Sequence, residues 1–274
     1  MKTYKYVNQT WQVLFFIVLC LSLPRLGRAQ STAAVPYEPT YTEWEYMKVM
    51  PGKGSDYLKV EQTWKKIHQR RKEEGKIINW TLYRRVYPSG SNTTYDYATT
   101  TTFKSGVELE GTLDMTWEYI KKGLNNEEIA IAEGTEKTRQ IVDRKLNLLL
   151  ERVEPQGRFV KFTTLNVKPG QGAEQEKLER MMNPVFVEAC KMGKIASWRF
   201  GRQLFPLSAN GGNYYRGIGV KNLDDLLKNE TNKYIEAAFR KVYPTKDYAA
   251  VTKSFRDLMT VVTVEIWEKI DSTQ

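Results

Sequence analysis

"VMPGKGSDYLK" runs from Val49 to Lys59, and "VKPGQGAEQEK" runs from Val167 to Lys177. Pro51 and Pro169 lie 118 positions apart, and the match continues beyond the turn. At the same offset Gly75-Lys76-Ile77 meets Gly193-Lys194-Ile195, Trp80 meets Trp198, Arg84 meets Arg202, Pro88 meets Pro206 and Tyr97 meets Tyr215. At an offset of 117, "LERVE" from Leu150 meets "WEKID" from Trp267. Register kept over this length marks an internal duplication.

Both copies carry the same pattern. A strand is predicted over Tyr41–Met50, with Phe159–Lys168 as its counterpart. Pro-Gly then reverses the chain, since proline presets φ and glycine accepts positive φ. A helix follows over Ser55–Glu74, with Tyr57, Val60, Trp64 and Ile67 at spacings of three and four; the second copy offers Leu178, Met182, Val185, Phe186 and Ala189. Gly75 and Gly193 stand where a helix C-terminal glycine belongs. A β-branched and aromatic strand, a loop and another strand come next. Ser105-x-x-Glu108, a capping box, and Asn222-x-x-Asp225, which resembles one, open a second helical region. Closing strands are expected at Asn147–Val153 and Val261–Ile270. The order is βαββαβ twice, so the fold class is α+β, with tandem ferredoxin-like units at 41–155 and 158–274. Each unit leaves one sheet face bare, and two units in one chain can press those faces together.

Strand, Val-x-Pro-Gly-x-Gly, amphipathic helix, glycine and a Trp-bearing strand together resemble the dimeric α+β barrel superfamily, which includes NIPSNAP-like and antibiotic-biosynthesis-monooxygenase-like domains. The resemblance spans nearly the whole chain after residue 40. It implies a barrel built within one polypeptide, an intrachain pseudo-dimer. It implies no single activity, because members include cofactor-free monooxygenases, isomerases, haem enzymes and proteins without known activity.

The N-terminal segment reads differently. Lys2 and Lys5 precede the apolar run Val13–Leu23, and Gly27 and Ala29 supply small residues before a cut ahead of Gln30. Residues 1–29 are therefore expected to be a secretory signal peptide, with 30–40 as a linker and a secreted or periplasmic destination. The run is shorter than the roughly 20 residues of a membrane span, and no later stretch could serve as one. Removing the leader's Lys2, Lys5, Arg25 and Arg28 lowers the formal charge from +10 to +6. It also leaves one cysteine, Cys190, so no internal disulfide forms and the core must hold the fold. Export argues against nucleic acid as a partner, and "KKIHQRRK" (Lys65–Lys72) reads as a solvated helix face. Asn79, Asn92 and Asn229 head Asn-x-Ser/Thr triplets that carry little weight, since Asn79 falls in a strand.

Catalytic signatures are absent. His68 is the only histidine, and its counterpart Phe186 favours packing over the alternative of haem ligation. A histidine-based zinc site lacks ligands, and neither a serine elbow nor a cysteine-protease context accompanies Cys190. "SANGGNYYRGIG" fits a hairpin loop rather than a phosphate loop, and the adjacent carboxylates Glu73-Glu74, Glu127-Glu128 and Asp224-Asp225 do not face one another. Alternation along the strands sends Trp44, Tyr46 and Lys48 to the face opposite Met47 and Val49, and puts Asn79, Thr81, Tyr83 and Arg85 on one face of the next strand. Ser197, Arg199, Gly201 and Gln203 answer these in the second copy, with Tyr97 and Tyr215 adding a third strand. If these faces line the barrel, Trp44, Tyr46, Asn79, Tyr83, Arg85, Tyr97, Arg199 and Tyr215 would receive a flat or anionic organic ligand. The competing reading is a lumen filled by the same side chains. Arg84 and Arg202 form a second candidate set, because each is an arginine between apolar neighbours that must reach a carboxylate, solvent or an anion. The expected function is small-ligand or partner binding by a monomer that requires no cofactor and no metal. The alternative is a cofactor-independent monooxygenase or isomerase acting on an aromatic or cyclic substrate.

Overall fold

The computed structural model describes residues 38–273 apart from 88–93, 114, 155–156, 194, 208–211 and 229. The expected leader, Cys20, Asn92 and Asn229 lie outside the described residues, as does most of the linker. Among the described residues there are eight strands: β1 (Thr40–Val49), β2 (Asn79–Val86), β3 (Tyr97–Phe103), β4 (Arg139–Val153), β5 (Phe159–Val167), β6 (Ser197–Phe205), β7 (Tyr214–Val220) and β8 (Met259–Ser272). The helices are α1 (Gly54–Glu73), α2 (Gly106–Leu113), α3 (Trp117–Lys121), α4 (Asn126–Glu133), α5 (Gly172–Lys191), α6 (Leu223–Leu227), α7 (Glu230–Val242) and α8 (Tyr248–Leu258). A short 3₁₀ turn at Thr135–Lys137 leads into β4.

The strands close into an antiparallel barrel in the order β1-β3-β2-β8-β5-β7-β6-β4. Within it β4-β1-β3-β2 and β8-β5-β7-β6 are two contiguous halves, each with the strand order of a ferredoxin-like unit. The turns agree with the sequence pattern. Gly52 and Gly170 take φ of 74° and 77° in the Pro-Gly reversals, and Gly75 and Gly193 take 71° and 70° after α1 and α5.

The closing strands are longer than the sequence pattern predicts. β4 begins at Arg139, and its first part pairs with β1, while Leu146–Val153 pairs with β6 of the other half. β8 likewise pairs with β5 and then, through Ile266–Ser272, with β2. Beyond that strand Thr273 clasps Trp80, donating its N–H to the Trp80 carbonyl at 3.0 Å while its hydroxyl accepts the Trp80 N–H at 2.9 Å. β4 was foreshortened in the sequence because Arg139–Lys145 lacks apolar alternation, whereas β8 exceeds the expected strand by only two residues at each end. The second helical region is three short helices in each half. Ser105 Oγ accepts from Glu108 N–H at 3.4 Å, but Glu108 reaches back to Lys104 N–H, so the predicted box is only half formed. A complete capping box sits at Asn125 and Glu128, which gives that acidic pair a structural role.

Three apolar clusters result. One lies under the helices of the first half (Met47, Tyr57, Ile77, Trp80, Leu82, Phe103), and one lies under those of the second (among them Leu165, Val185, Trp198, Phe200 and Phe239). Cys190 packs at the edge of the latter, and burial pushes its thiol up to about 11, as fits an inert core group. The third cluster fills the lumen: Trp44, Tyr46, Tyr83, Ala98, Leu149, Phe162, Tyr215 and Trp267.

The lumen shows how the halves have complemented each other. Tyr83 faces Ala98 across β2–β3, whereas Gly201 faces Tyr215 across β6–β7. Each pair supplies one tyrosine, from opposite strands. A Cβ on Gly201 would stand 2.5 Å from the Tyr215 ring, so glycine there is a steric requirement.

Two outcomes are expected. Residues 30–155 expressed alone should aggregate or self-dimerise, since β2 and β4 lose their partners and the lumen aromatics are exposed; sedimentation showing a soluble, cooperatively folding monomer would contradict this. Tyr215→Ala should cost about 3–5 kcal/mol and Gly201→Ala about 1–3 kcal/mol. The double variant Gly201→Tyr with Tyr215→Ala, which copies the first half, should recover most of that loss in thermal unfolding, and strictly additive losses would refute the exchange.

Candidate functional site

The lumen has almost no free space. Its cavity, bounded by Thr42, Trp44, Tyr83, Phe162, Ser197, Arg199, Tyr215 and Trp267, is about 20 Å³, room for about one water. Trp44 contacts four rings, including Phe162 at 4.7 Å and Tyr83 at 5.9 Å. Displacing any of these rings forfeits roughly 1.5–3 kcal/mol of burial, which a small guest would have to exceed for each ring moved. The filled-lumen reading therefore prevails over the ligand-lined one.

The candidate residues fall in different places. Trp44, Tyr46, Tyr83 and Tyr215 form the lumen packing, and Arg199 borders it with Glu154 at 3.5 Å. Asn79 lies at the start of β2, half-buried, with its Oδ1 enclosed. Arg85 sits by Glu265 at 2.9 Å and over the Tyr95 ring at 4.8 Å. Glu265 also accepts from Tyr95 Oη at 2.7 Å and from Trp267 Nε1 at 3.2 Å, so this carboxylate ties β8 to β2 and to the segment that leads into β3.

Tyr97 departs from expectation. It faces outward under α1, 4.6 Å from Tyr57, while Ala98 takes the inward position. The repeat offset drops from 118 to 117 across the β2–β3 and β6–β7 loops, so Tyr97 corresponds to Tyr214. Asp96 and Asn213 confirm the new register: their side chains accept the Val49 and Val167 N–H at 3.1 and 2.7 Å. A one-residue slip reverses the face of every later side chain.

Arg84 and Arg202 both find carboxylates and reach solvent. Arg84 and Arg158 converge on Glu268, whose carboxyl burial pushes up but the two guanidinium groups hold below the usual range. Arg202 meets Glu176 at 3.5 Å. Neither arginine borders the lumen cavity.

Space lies outside the barrel. A cleft of about 910 Å³ opens between the outer face of β1–β3, α1, the α2–α4 segment and β4. Its walls include Trp64, His68, Trp80 and Trp117; its charged groups include Glu43, Glu45, Glu61, Arg71, Arg139 and Arg144. Tyr57, Glu61, Trp64 and His68 share one stripe of α1, which aims an acid into the sheet along with the aromatics. Glu61 is 2% exposed, and its Oε1 lies 2.9 Å from Arg139 Nε. Burial pushes its carboxyl up to about 7 despite Arg139. Burial and neighbouring Glu45 also raise Glu43, while Arg144 is held by Glu45 at 2.8 Å.

Arg71 is 3% exposed and has no carboxylate within 4 Å among the described residues. It donates to Thr112 Oγ1 and, at 3.1 Å, to His68 Nδ1. Because arginine has no acceptor, His68 Nδ1 must be the unprotonated nitrogen and Nε2 carries the hydrogen. Burial and the Arg71 charge keep the ring neutral. The ring stacks on Trp80 at 5.3 Å and 10°, as Phe186 stacks on Trp198 at 4.4 Å and 8°. A haem-ligating imidazole needs the reverse, a free lone pair toward the iron and a donor hydrogen toward an acceptor. The residues around His68 do not fit that role. Among the described residues no three metal-binding side chains gather.

Sequence reasoning missed Glu61, Arg71 and Arg139. A usable signal was present: both copies keep glutamate at 61 and 179 on the otherwise apolar stripe of their first helix.

No family model and no curated protein matches this sequence. Solved structures do match over nearly the whole barrel. A candidate chlorite dismutase aligns with TM-score 0.50 and 10% identity over 85% of this chain and 95% of its own. An anthrone oxidase-like protein aligns with TM-score 0.50 and 11% identity over 86% and 93%. A candidate monooxygenase from Fusobacterium nucleatum aligns with TM-score 0.49 and 9% identity over 85% and 93%. At such identity the likeness extends to the fold, that of the dimeric α+β barrels, and no further.

Glu61 should leave a pH signature. Its folded pKa lies above the unfolded value, so its contribution to stability is greatest below about pH 4.5 and is lost as pH rises through about 7. The stability of the native protein relative to Glu61→Gln should therefore fall by on the order of 3 kcal/mol from pH 4 to pH 8 in urea unfolding. A difference independent of pH would show that folding does not raise the proton affinity of Glu61.

Proposed function

We propose that the protein binds a small organic ligand in the cleft outside the first half of the barrel, rather than in the lumen. The observation that carries this reading is the contrast in space: about 910 Å³ between sheet and helices against about 20 Å³ inside the barrel. The cleft volume suits a drug-sized molecule, and aromatic walls with a few convergent polar groups are what such sites use. Indole and imidazole faces favour a planar ring. Arg71, buried with no carboxylate within 4 Å among the described residues, favours a ligand carrying an acidic or phenolic oxygen. The leader-like residues 1–29 support a role after export, and the Val-x-Pro-Gly turns support kinship with NIPSNAP-like or antibiotic-biosynthesis-monooxygenase-like domains.

A second reading has one specific observation in its favour. Glu61, held near neutrality in the same cleft, has the proton affinity that a general base for C–H or O–H deprotonation needs. That is the chemistry a cofactor-independent monooxygenase or isomerase would begin with, and the anthrone oxidase-like neighbour is compatible with it. Glu61→Gln would then remove turnover while leaving binding in place.

Native mass spectrometry of the purified protein, offered a panel of bicyclic phenols and aryl carboxylic acids, tests the primary reading. Capture should weaken at least tenfold in Trp117→Ala and be unchanged in Gly201→Tyr/Tyr215→Ala, which alters only the lumen. Capture that survives Trp117→Ala and fails in the lumen variant would reject the cleft.

A further inference from the structure

The duplication also placed a cleft in the second half. It measures about 490 Å³ and lies between the outer face of β5 and β7, α5, α7 and α8. Its position is the pseudo-twofold counterpart of the first cleft, since Lys161, Thr163, Glu179, Met182 and Phe186 stand 118 residues after Glu43, Glu45, Glu61, Trp64 and His68. The chemistry has been inverted. Where the first sheet presents Glu43 and Glu45, the second presents Lys161 and Thr163, and Arg216 replaces Thr99 across the new offset of 117.

Four cations, Lys161, Arg216, Lys233 and Arg256, line this cleft against two carboxylates, Glu179 and Glu236. Both carboxylates are engaged. Glu179 is fully buried, receives Gln175 Nε2 at 2.8 Å and is ion-paired with Arg216; Glu236 is held by Arg240 at 2.6 Å. Lys161 and Arg256 have no carboxylate within 4 Å among the described residues. Lys161 is half-buried, and burial followed by the nearby Arg216 charge depresses its pKa. Arg216 Nε is enclosed without a hydrogen-bond partner among the described residues. An ammonium and a guanidinium N–H left unmatched beside each other carry a desolvation cost that an anion in the cleft would offset. Phe186, Ile218, Ile235, Val251 and Phe255 supply apolar wall, with Thr163, Asn232, Tyr248 and Thr252 adding polar atoms between them.

We infer that the second cleft is a separate binding site for an organic anion with an apolar body, its acidic group received by Lys161 and Arg216 and its hydrocarbon lying along α7 and α8. The first cleft, with His68 and Arg71 in place of Phe186 and Ala189, differs in both charge and wall. The two sites would thus take different ligands in one chain. This assignment is independent of the reading of the first cleft.

Titration calorimetry of the full chain with sodium decanoate and with decylammonium chloride tests it. Saturable binding of decanoate near one equivalent is expected, with decylammonium binding at least tenfold more weakly. Lys161→Glu, which copies Glu43, should weaken decanoate at least tenfold, and Arg256→Glu, on the exposed rim of α8 where folding is not at risk, should weaken it severalfold. Trp117→Ala, in the first cleft, should leave it unchanged. Absence of saturable decanoate binding, equal affinity for decylammonium, or insensitivity to Arg256→Glu in a folded variant would overturn the proposal. Loss of decanoate in Trp117→Ala would move the anion to the first cleft.

Discussion

Strands β4 and β8 each hydrogen-bond to both halves of the molecule, and the barrel closes only through them. From this crossing the rest follows. Two sheets that would otherwise each expose an aromatic face are bent into one ring, and their side chains must share a single lumen. The lumen then has to be filled to interior density by residues that lie far apart in sequence. Trp44, Phe162 and Trp267, drawn from β1, β5 and β8, meet there. Charges reinforce the same seam, with Lys65 on α1 reaching Asp271 of β8 at 2.6 Å and Arg84 of β2 reaching Glu268.

A filled lumen sends function outward. Two matching clefts lie between the sheet and its helices, one in each half, because the duplication copied the architecture of the cleft together with the fold. Each copy keeps one buried glutamate on its long helix, but the partners differ. Glu61 meets Arg139 from the closing strand, whereas Glu179 meets Arg216 from β7 and is further bound by Gln175. The second pairing satisfies the acid more fully and reads as structural. The first leaves it close to the pH at which a proton is exchanged.

Much of the architecture was legible in the sequence because its signals were local. Pro-Gly turns, glycines after helices and period-two strands state their conformations within a few residues, and the duplication showed that two sheets had to meet. The inward positions of Trp44, Tyr46 and Tyr83 follow from alternation alone. Tyr97 was misplaced because a single residue lost in a loop changes the parity of the next strand without disturbing the apparent alignment of tyrosines. Whether the lumen is open depends on how side-chain volumes from seven strands add up, which no local pattern expresses. The cleft residues were hidden for a related reason. Arg71 reads as part of a basic helix face until Thr112 and the outer sheet cover it, and Arg139 starts a strand whose first half lacks clean alternation.

The exchange of Tyr83/Ala98 for Gly201/Tyr215 bears on why a fused chain differs from a pair of identical subunits. In a symmetric homodimer every substitution near the axis appears twice, so a tyrosine introduced on one strand confronts its own copy. Packing can then change only through residues compatible with themselves. Covalent fusion lifts that restriction: one half can enlarge at a position while the other shrinks, and the centre of the barrel becomes handed. The same freedom extends to the outer clefts, where a glutamate in one half and a lysine at the matching place in the other could never have arisen from a single repeated gene product.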